Sequence, residues 1–354
     1  MKRIRNRGAM ALAVAAMVTI VAACGDDDKA SDGPVTVRLL THDSFTVEKG
    51  TLAAFTRLTG IKVRVIKGGD AGSVVNQAIL TKGKPQGDVL FGVDSTFLTR
   101  ALDEDIFIPH EADGLDGVAP ALAGDTKHRV TPIDYGDVCL NFDKAWFAEH
   151  GVAPPTSLRD LTKPAYRDLL VVENPATSSP GLAFLLASID ELGDGWQDWW
   201  RDLRGNGVEV VNGWEEAYYG SFSGGGGSEG KRPLVVSYAS SPPAEVVYAD
   251  PPIEEPPTGV VDSGCYRQVE YAGVLAGTTH EDEAGQLVDF LLSARFQRTL
   301  PLSMFVFPAV TDTELPEVFT KFAATPTKVL ELTPKRISAN RERWIDEWTS
   351  IVLR

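Results

Sequence analysis

From Val35 onward, short runs of strand-forming residues alternate with helical runs, and this alternation restricts the fold more than any other feature of the chain. It is typical of α/β folds, in which helices pack on a mainly parallel sheet. Strands are predicted over 35–41, 61–66, 88–92, 168–172, 208–211, 234–238, 265–275 and 304–307, with a further extended segment within 129–142. Helices are predicted before Gly60 and over 181–192, 196–203, 214–222, 241–248, 281–292 and 337–352. The sequence therefore predicts an α/β protein.

The predicted C-terminal helix carries an apolar and aromatic face. Ile337, Trp344, Trp348 and Ile351 recur at near-helical spacing. Such a stripe is what a helix buries against its neighbours, so we interpret it as core packing rather than as a ligand site.

The N-terminal residues have the pattern of a bacterial lipoprotein signal. Basic residues up to Arg7 precede an apolar run at 9–22, and a small-residue cleavage site follows directly before Cys24. The apolar run is shorter than the ~20 residues that a membrane-spanning helix needs. We therefore expect residues 1–23 to be a signal peptide and Cys24 to carry acyl chains such as palmitate. The alternative is an ordinary signal peptide followed by an incidental cysteine.

The segment after Cys24 is polar and rich in turn-forming residues. Residues 24–34 are therefore predicted to be a flexible tether between the lipid anchor and the folded part. This arrangement places the protein on the outer face of the cell membrane, on the periplasmic or extracellular side, held there by lipid.

The chain is strongly acidic. Its formal net charge is −15, and removal of the four basic residues of the predicted signal peptide makes it more negative still. This balance argues against nucleic acid and anionic lipid surfaces as partners and is compatible with a small cationic ligand. With 43% hydrophobic residues, the chain can form the cores of about two domains.

Two cysteines remain once Cys24 is assigned to lipid. In an oxidising compartment, an even pair suggests a disulfide between Cys139 and Cys265. From the residues alone, a disulfide and two buried free thiols remain open.

The sequence contains no motif that supports metal binding or catalysis. Its five histidines are scattered, with no helical pair and no cysteine at metal-ligand spacing. No Gly-x-Ser-x-Gly turn and no dinucleotide-binding glycine pattern follows a predicted strand. We expect no metal, no cofactor and no enzymatic activity, although a hydrolase assembled from distant residues stays an alternative from another class of function.

Polar and aromatic residues are concentrated in loops at the ends of predicted strands, where α/β sheets bind ligands. Taken singly, several of these segments could be helix N-caps. Taken together, they predict a binding cleft. The segments are Thr41–Ser44, Gly69–Ser73, Asp94–Ser95, Asp134–Gly136, Thr177–Pro180, Gly213–Glu215 and Tyr238–Ser241.

From about Val35 to Arg354, the chain resembles the substrate-binding proteins of bacterial thiamine ABC importers, a branch of the group that includes iron(III)-binding proteins. The resemblance rests on the order and approximate spacing of six motifs. These motifs are Thr41-His42-Asp43-Ser44-Phe45, Asp134-Tyr135-Gly136, Thr177-Ser178-Ser179-Pro180-Gly181-Leu182, Gly213-Trp214-Glu215-Glu216-Ala217-Tyr218, Ser237-Tyr238-Ala239-Ser240-Ser241-Pro242 and Gln268-Val269-Glu270.

The resemblance implies a set of thiamine contacts. Trp214 and Tyr238 would stack on the cationic thiazolium and the flat aminopyrimidine. Asp70 would accept from the exocyclic amine or offset the ring charge. Ser178 and Ser179 would bind the hydroxyethyl end or its phosphate at a helix N-terminus. The implied set is completed by Ala71, Ala239, Ser240 and Ser241, and by His42 and Phe305, whose positions are commonly tyrosine and tryptophan in the family.

The resemblance also implies a two-lobed clamshell of the type II periplasmic-binding-protein class with two crossover strands. Lobe 1 would contain 35–135 and 266–354, and lobe 2 would contain 136–265. Crossover strands at Asp134–Gly136 and at Cys265–Tyr266 would bring Cys139 close to Cys265, which favours the disulfide. We expect a monomer that delivers thiamine or a thiamine phosphate to an ABC permease and its ATPase.

The alternative ligand within this group is iron(III). Relatives hold ferric ion with a neighbouring pair of tyrosines, and Tyr218 and Tyr219 form such a pair. Successive helical residues point about 100° apart, so one member of the pair is expected to be buried and not to converge on a metal.

Overall fold

The computed structural model describes residues 34–354, which form one unit. The predicted signal peptide, the predicted lipidation site Cys24 and nearly all of the predicted tether lie outside the described residues. Within 34–354, no helix combines the length and the apolar character that a membrane span requires.

The strands of the described residues belong to one mixed sheet. They are β1 (Thr36–Thr41), β2 (Lys62–Lys67), β3 (Val89–Asp94), β4 (Phe107–Ile108), β5 (Thr131–Asp143), β6 (Leu170–Glu173), β7 (Glu209–Val211), β8 (Leu234–Tyr238), β9 (Thr258–Leu275), β10 (Phe307–Pro308) and β11 (Val329–Leu330). The order along the sheet is β2-β1-β3-β9-β5-β8-β6-β7, with β4 and β11 added to β9 and β10 added to β5.

The sheet has two halves joined by its two long strands. Strands β2, β1 and β3 are mutually parallel, and so are β8, β6 and β7. Between these halves, β5 and β9 pair antiparallel to each other from Thr131↔Ala272 to Asp143↔Thr258. The predicted α/β class and the two crossover strands are therefore confirmed, and the second crossover strand begins at Thr258 rather than at the predicted Cys265.

Helices cover the sheet. The α-helices are α1 (Thr51–Thr59), α2 (Ala71–Leu80), α3 (Leu98–Asp103), α4 (Lys144–His150), α5 (Ser179–Leu192), α6 (Trp196–Gly205), α7 (Pro242–Val247), α8 (Glu281–Leu292), α9 (Ala294–Gln297), α10 (Leu300–Ser303), α11 (Glu317–Phe322) and α12 (Pro334–Val352). A π-helix spans Glu216–Ser221, and short 3₁₀ turns span Leu115–Gly117, Pro120–Leu122, Leu158–Thr162, Pro164–Tyr166 and Gly193–Gly195. The first helix ends as predicted at Gly60, whose φ of 78° suits the left-handed C-cap.

The strand predicted at 304–307 is wrong for most of its length. The chain forms the short helix α10 up to Ser303, and only Phe307 and Pro308 pair with β5. Phe305 has a φ of 56°, a left-handed conformation that interrupts a regular strand and that an aromatic residue rarely adopts. The apolar run at this point therefore forms a sharp turn instead of a strand.

The aromatic face of α12 lies in the core, as predicted. Trp348 is fully buried and meets Trp200 of α6 edge to face, with ring centroids 5.5 Å apart. Ile337 and Trp344 are also buried. These contacts join the C-terminal helix to the helix layer of the other half of the sheet.

Cys139 of β5 and Cys265 of β9 form a disulfide. Their Cα atoms are 4.4 Å apart, and both residues are almost completely buried. The bond therefore connects the two long strands between the halves of the sheet and closes a loop of 126 residues.

Candidate functional site

The carboxyl ends of the parallel strands from both halves point toward one cleft, which encloses about 670 Å³ up to its mouth. The residues that line the cleft are His42, Ser44, Asp70, Ala71, Ser179, Pro180, Trp214, Tyr218, Tyr219, Tyr238, Ser241, Ala244, Glu270, Met304, Phe305 and Val306.

Most of the predicted ligand residues line this cleft. Those brought together there are His42, Asp70, Ala71, Ser179, Trp214, Tyr238, Ser241 and Phe305. Ser178, Ala239 and Ser240 are buried behind it and do not belong to its lining. Ser178 caps α5 by accepting from the Gly181 amide, and the Ala239 amide donates to the carbonyl of Asp137.

Asp70 joins three segments that meet at the cleft. Its Oδ1 accepts from the amide of Ala71 at 2.6 Å and from the amide of Ser179 at 3.4 Å. Its Oδ2 accepts from the amide of Trp214 at 2.9 Å. Burial raises the pKa of Asp70, and the amides of Trp214 and Ala71 act in the opposite direction because they stabilise the ionised form. The carboxylate thus occupies the N-terminal ends of α2 and α5.

Aromatic rings form a further part of the cleft wall. Trp214 stacks on Tyr218 at a centroid distance of 4.9 Å, and its Nε1 donates to Ser237 Oγ at 2.9 Å. Tyr238 is fixed through its hydroxyl, which accepts from Gln268 Nε2 at 3.0 Å. These contacts hold two flat surfaces in place before a ligand arrives.

Three carboxyl groups form a row across the neighbouring strands β3, β9 and β5. Glu270 of β9 is in register with Asp94 of β3 on one side and with Asp134 of β5 on the other. All three are at least nine-tenths buried. Side chains in register on neighbouring strands share a face, so the three carboxyls are neighbours and interact electrostatically.

His42 is the basic residue that contacts this row of carboxyl groups, through Glu270. Its Nε2 lies 3.5 Å from Glu270 Oε1. Burial acts to lower the pKa of His42, but the carboxylates of Glu270, Asp70 and Asp43 together outweigh it and the pKa is raised. Burial likewise acts to raise the pKa of Glu270, but His42 and, to a smaller extent, the neighbouring Asp134 carboxyl hold it below its ordinary value. Burial and repulsion from Glu270 raise the pKa of Asp134 well above its ordinary range.

Burial raises the pKa of Asp94 from 3.8 to about 6, although Ser179 and Thr96 hydrogen-bond to it. A raised carboxyl pKa costs stability above that pKa, because the folded protein must ionise a group that burial keeps protonated. We expect Asp94→Asn to raise the unfolding free energy at pH 7.5 by on the order of 1–3 kcal/mol, and the gain to fade toward pH 4. Denaturant unfolding at the two pH values measures this, and a variant that is less stable at both would contradict it.

The ligand residues predicted from the sequence do not include Glu270, although Glu270 belongs to one of the six motifs on which the resemblance rests. The available signal was a charged residue within an otherwise buried strand, which requires a partner or a function. Met304 and Val306 were also missed, since they were placed in a predicted strand and enter the cleft only because the chain turns at Phe305.

The tyrosine pair does not have the features of an iron site. Tyr218 is buried and donates from its hydroxyl to Glu245 at 2.9 Å, whereas Tyr219 is 45% exposed. Burial and Glu245 raise the pKa of both phenols, that of Tyr219 to about 12. Because tyrosine binds iron(III) as the phenolate, a raised pKa disfavours the form that would bind the metal. Within 34–354, no three His, Cys, Asp or Glu side chains form a group that could hold a metal ion.

A sheet of two halves, two long connecting strands and a cleft at the carboxyl ends of both sets of parallel strands define a type II periplasmic-binding-protein fold. The chain belongs to the family of bacterial extracellular solute-binding proteins, whose model matches residues 84–322.

Two curated relatives are similar over most of the chain. A thiamine-binding periplasmic protein of Salmonella typhimurium is 29% identical over 319 residues, which are 89% of this chain and 92% of that protein. A thiamine-binding periplasmic protein of Brucella suis is 28% identical over 325 residues, with 90% and 92% covered.

Solved structures show the same fold. A periplasmic thiamin binding protein superposes with a TM-score of 0.80 at 27% identity, covering 90% of this chain and 96% of that one. Iron-bound HitA from Pseudomonas aeruginosa superposes with a TM-score of 0.65 at 20% identity, covering 90% and 99%, and shows the fold alone.

Proposed function

We propose that this protein captures thiamine outside the cytoplasm and delivers it to an ABC importer, without catalysing a reaction. The observation that carries the proposal is the pairing of fixed aromatic rings with buried carboxylates in one cleft. Thiamine is a permanent cation with two flat rings, so it matches both features. The thiamine-binding names of the relatives support the same ligand.

The aromatic and acidic parts of the cleft would act on different parts of the ligand. Trp214 and Tyr238 offer π-faces to the thiazolium and the aminopyrimidine, worth ~0.5–2 kcal/mol each. The carboxyl groups of Asp70 and Glu270 would offset the positive charge in surroundings from which water is largely excluded. His42 remains paired with Glu270 and orients it.

The proposed mechanism is closure of two lobes on the ligand. Lobe 1 is assigned to 35–135 and 266–354, and lobe 2 to 136–265. Several hydrogen bonds then cross between the lobes. The Trp214 amide donates to Asp70, the Ser73 amide to the Thr177 carbonyl, and the Ser179 hydroxyl to Asp94. A ligand that contacts Asp70 on one lobe and Trp214 on the other favours the closed form.

The proposed location is the outer face of the cell membrane. Acyl chains on Cys24 and a tether up to residue 34 would keep the monomeric binding protein close to its permease. Tethering raises the effective concentration of the two partners, so the closed protein would dock on the permease without diffusing away. The ATPase of the importer would supply the energy for release and transport.

Removal of the Trp214 ring is expected to weaken thiamine binding by about tenfold or more, because the stacked cation–π contact is lost. Calorimetric titration of Trp214→Ala measures this without depending on tryptophan fluorescence. The matched control is Trp146→Ala, since Trp146 stacks on His150 of α4 and does not line the cleft. An unchanged affinity in Trp214→Ala would mean that thiamine binds elsewhere.

A further inference from the structure

Tyr248 is an exposed aromatic residue next to the cleft that the proposed function does not use. It follows the last residue of α7, and its amide donates to the carbonyl of Ala244, which lines the cleft. Tyr248 is 65% exposed, more than any other tyrosine, phenylalanine or tryptophan of residues 34–354. A single exposed ring needs no explanation by its exposure alone, so its role depends on what it contacts.

The hydrogen bond and the ring contact of the Tyr248 side chain are both made with the segment that brings Phe305 into the cleft. The Tyr248 ring meets the Phe305 ring edge to face, with centroids 5.7 Å apart. The Tyr248 hydroxyl donates to the carbonyl of Leu302 at 3.3 Å. Phe305 lines the cleft and Tyr248 does not, so Tyr248 reaches the ligand space through Phe305.

Phe305 has a conformation that requires support from its surroundings. Its φ of 56° is left-handed, and an aromatic residue keeps such a backbone only where neighbouring contacts hold it. Its amide donates to the carbonyl of Leu300 at 3.1 Å, and its side chain packs in a cluster with Ala244 and Phe319. Tyr248 adds the contact from the solvent side of this cluster, since Tyr248 is exposed and Phe305 is 9% exposed.

The contact also crosses the proposed boundary between the lobes. In the proposed assignment, Tyr248 belongs to lobe 2, whereas Leu302 and Phe305 belong to lobe 1. The ring contact and the hydrogen bond would then form when the lobes close and break when they open. Such a contact favours the closed form without touching the ligand.

We propose that Tyr248 is a positioning residue that holds the Phe305 ring in the closed cleft and thereby slows the release of the ligand. The proposal rests on the proposed function and deepens it, because it assigns control of release to a residue outside the cleft lining. A contact that is made in the closed form has to break before the ligand leaves, so its loss should act mainly on the dissociation rate.

Tyr248→Ala is expected to increase the dissociation rate of thiamine by about tenfold, because a ring pair and a hydrogen bond are lost together. Tyr248→Phe keeps the ring and is expected to stay within about threefold of wild type. Chase of radiolabelled thiamine with excess unlabelled thiamine measures the dissociation rate. Calorimetry gives the affinity and hence the association rate, which should change by about twofold at most.

An unchanged dissociation rate in Tyr248→Ala would contradict the role of Tyr248 and leave the proposed function intact. Absence of thiamine binding by the wild type would instead overturn the proposed function. A fall in affinity that lies entirely in the association rate would also contradict the proposal, since it would mean that Tyr248 shapes the open form.

The matched control is Tyr166→Ala. The Tyr166 hydroxyl likewise donates to a backbone carbonyl, that of Ala153 at 3.0 Å, and Tyr166 does not line the cleft. We expect this variant to release thiamine at the wild-type rate. Equal acceleration in Tyr166→Ala and Tyr248→Ala would attribute the effect to a general loosening of the fold and contradict the proposal.

A double-mutant cycle with Phe305→Ala tests whether Tyr248 acts through Phe305. If Tyr248 positions the Phe305 ring, Tyr248→Ala should have little further effect once that ring is absent. The increase in the double variant should then be smaller than the product of the two single increases. Effects that multiply in full would mean that Tyr248 acts independently of Phe305 and would contradict the positioning role. Thermal unfolding of each ligand-free variant verifies that it is folded.

Discussion

Asp70→Asn is expected to weaken thiamine binding by about a hundredfold or more, equivalent to roughly 2.7 kcal/mol. The carboxylate accepts three backbone amides with two oxygens. An asparagine side chain has one oxygen and one NH₂ group in place of two carboxylate oxygens. Either the amides of Ala71 and Ser179 or the amide of Trp214 would then lose the acceptor and face an N–H donor instead. Each buried unsatisfied donor costs about 1–3 kcal/mol, and the attraction to the thiazolium is lost as well.

The matched control for this change is Asp43→Asn. It removes the same charge from a neighbouring loop position that does not line the cleft. We expect its thiamine affinity to remain within about threefold of wild type, since the charge interacts across solvent. Calorimetry on both variants, with thermal unfolding to verify folding, decides between a specific contact and a general effect of charge. Similar losses in the two variants would contradict the role of Asp70.

The second large effect is expected on stability, from the double substitution of Cys139 and Cys265 by alanine. Because the bond closes a loop of 126 residues, its removal should lower the unfolding free energy by about 5 kcal/mol. With an unfolding entropy of roughly 2.1 cal/mol/K per residue, this corresponds to a fall in Tm of about 7 °C. Alanine suits both positions because they are buried among apolar neighbours such as Ala239.

Chemical reduction of the wild-type protein is the control for the double variant. Under reducing conditions that open the disulfide, the wild type should unfold near the Tm of the variant, and the variant itself should be unaffected by reductant. Equal Tm values for oxidised wild type and variant would contradict a stabilising role for the bond. Both experiments require measurement without ligand, because bound thiamine would raise Tm by mass action.

The α/β class could be predicted because the sequence alternates strongly between strand and helix patterns. Strand 234–238 and helix 281–292 have the predicted limits. The resemblance also predicted which strand-end loops meet, because the carboxyl ends of parallel strands lie along one edge of a sheet. The structure thus brings His42, Asp70, Trp214 and Tyr238 to one cleft.

Other features depend on tertiary contacts that local sequence does not encode. The turn at Phe305 requires a left-handed backbone, which the surrounding apolar residues do not signal. The segment at Trp214–Phe222 was predicted as a helix and is helical from Trp214 to Ser221, but Glu216–Ser221 form a π-helix instead of an α-helix. The row formed by Asp94, Glu270 and Asp134 became visible only once the strand order and register were known.

The central claim is that the cleft captures thiamine, and a titration of the mature protein tests it most directly. Trp214 is the tryptophan that lines the cleft, so binding should change the intrinsic fluorescence in a saturable, one-to-one manner. The same sample is titrated with ferric citrate and observed for a coloured phenolate complex. The account predicts a saturable thiamine response and no coloured complex. A coloured iron complex without any response to thiamine would contradict it.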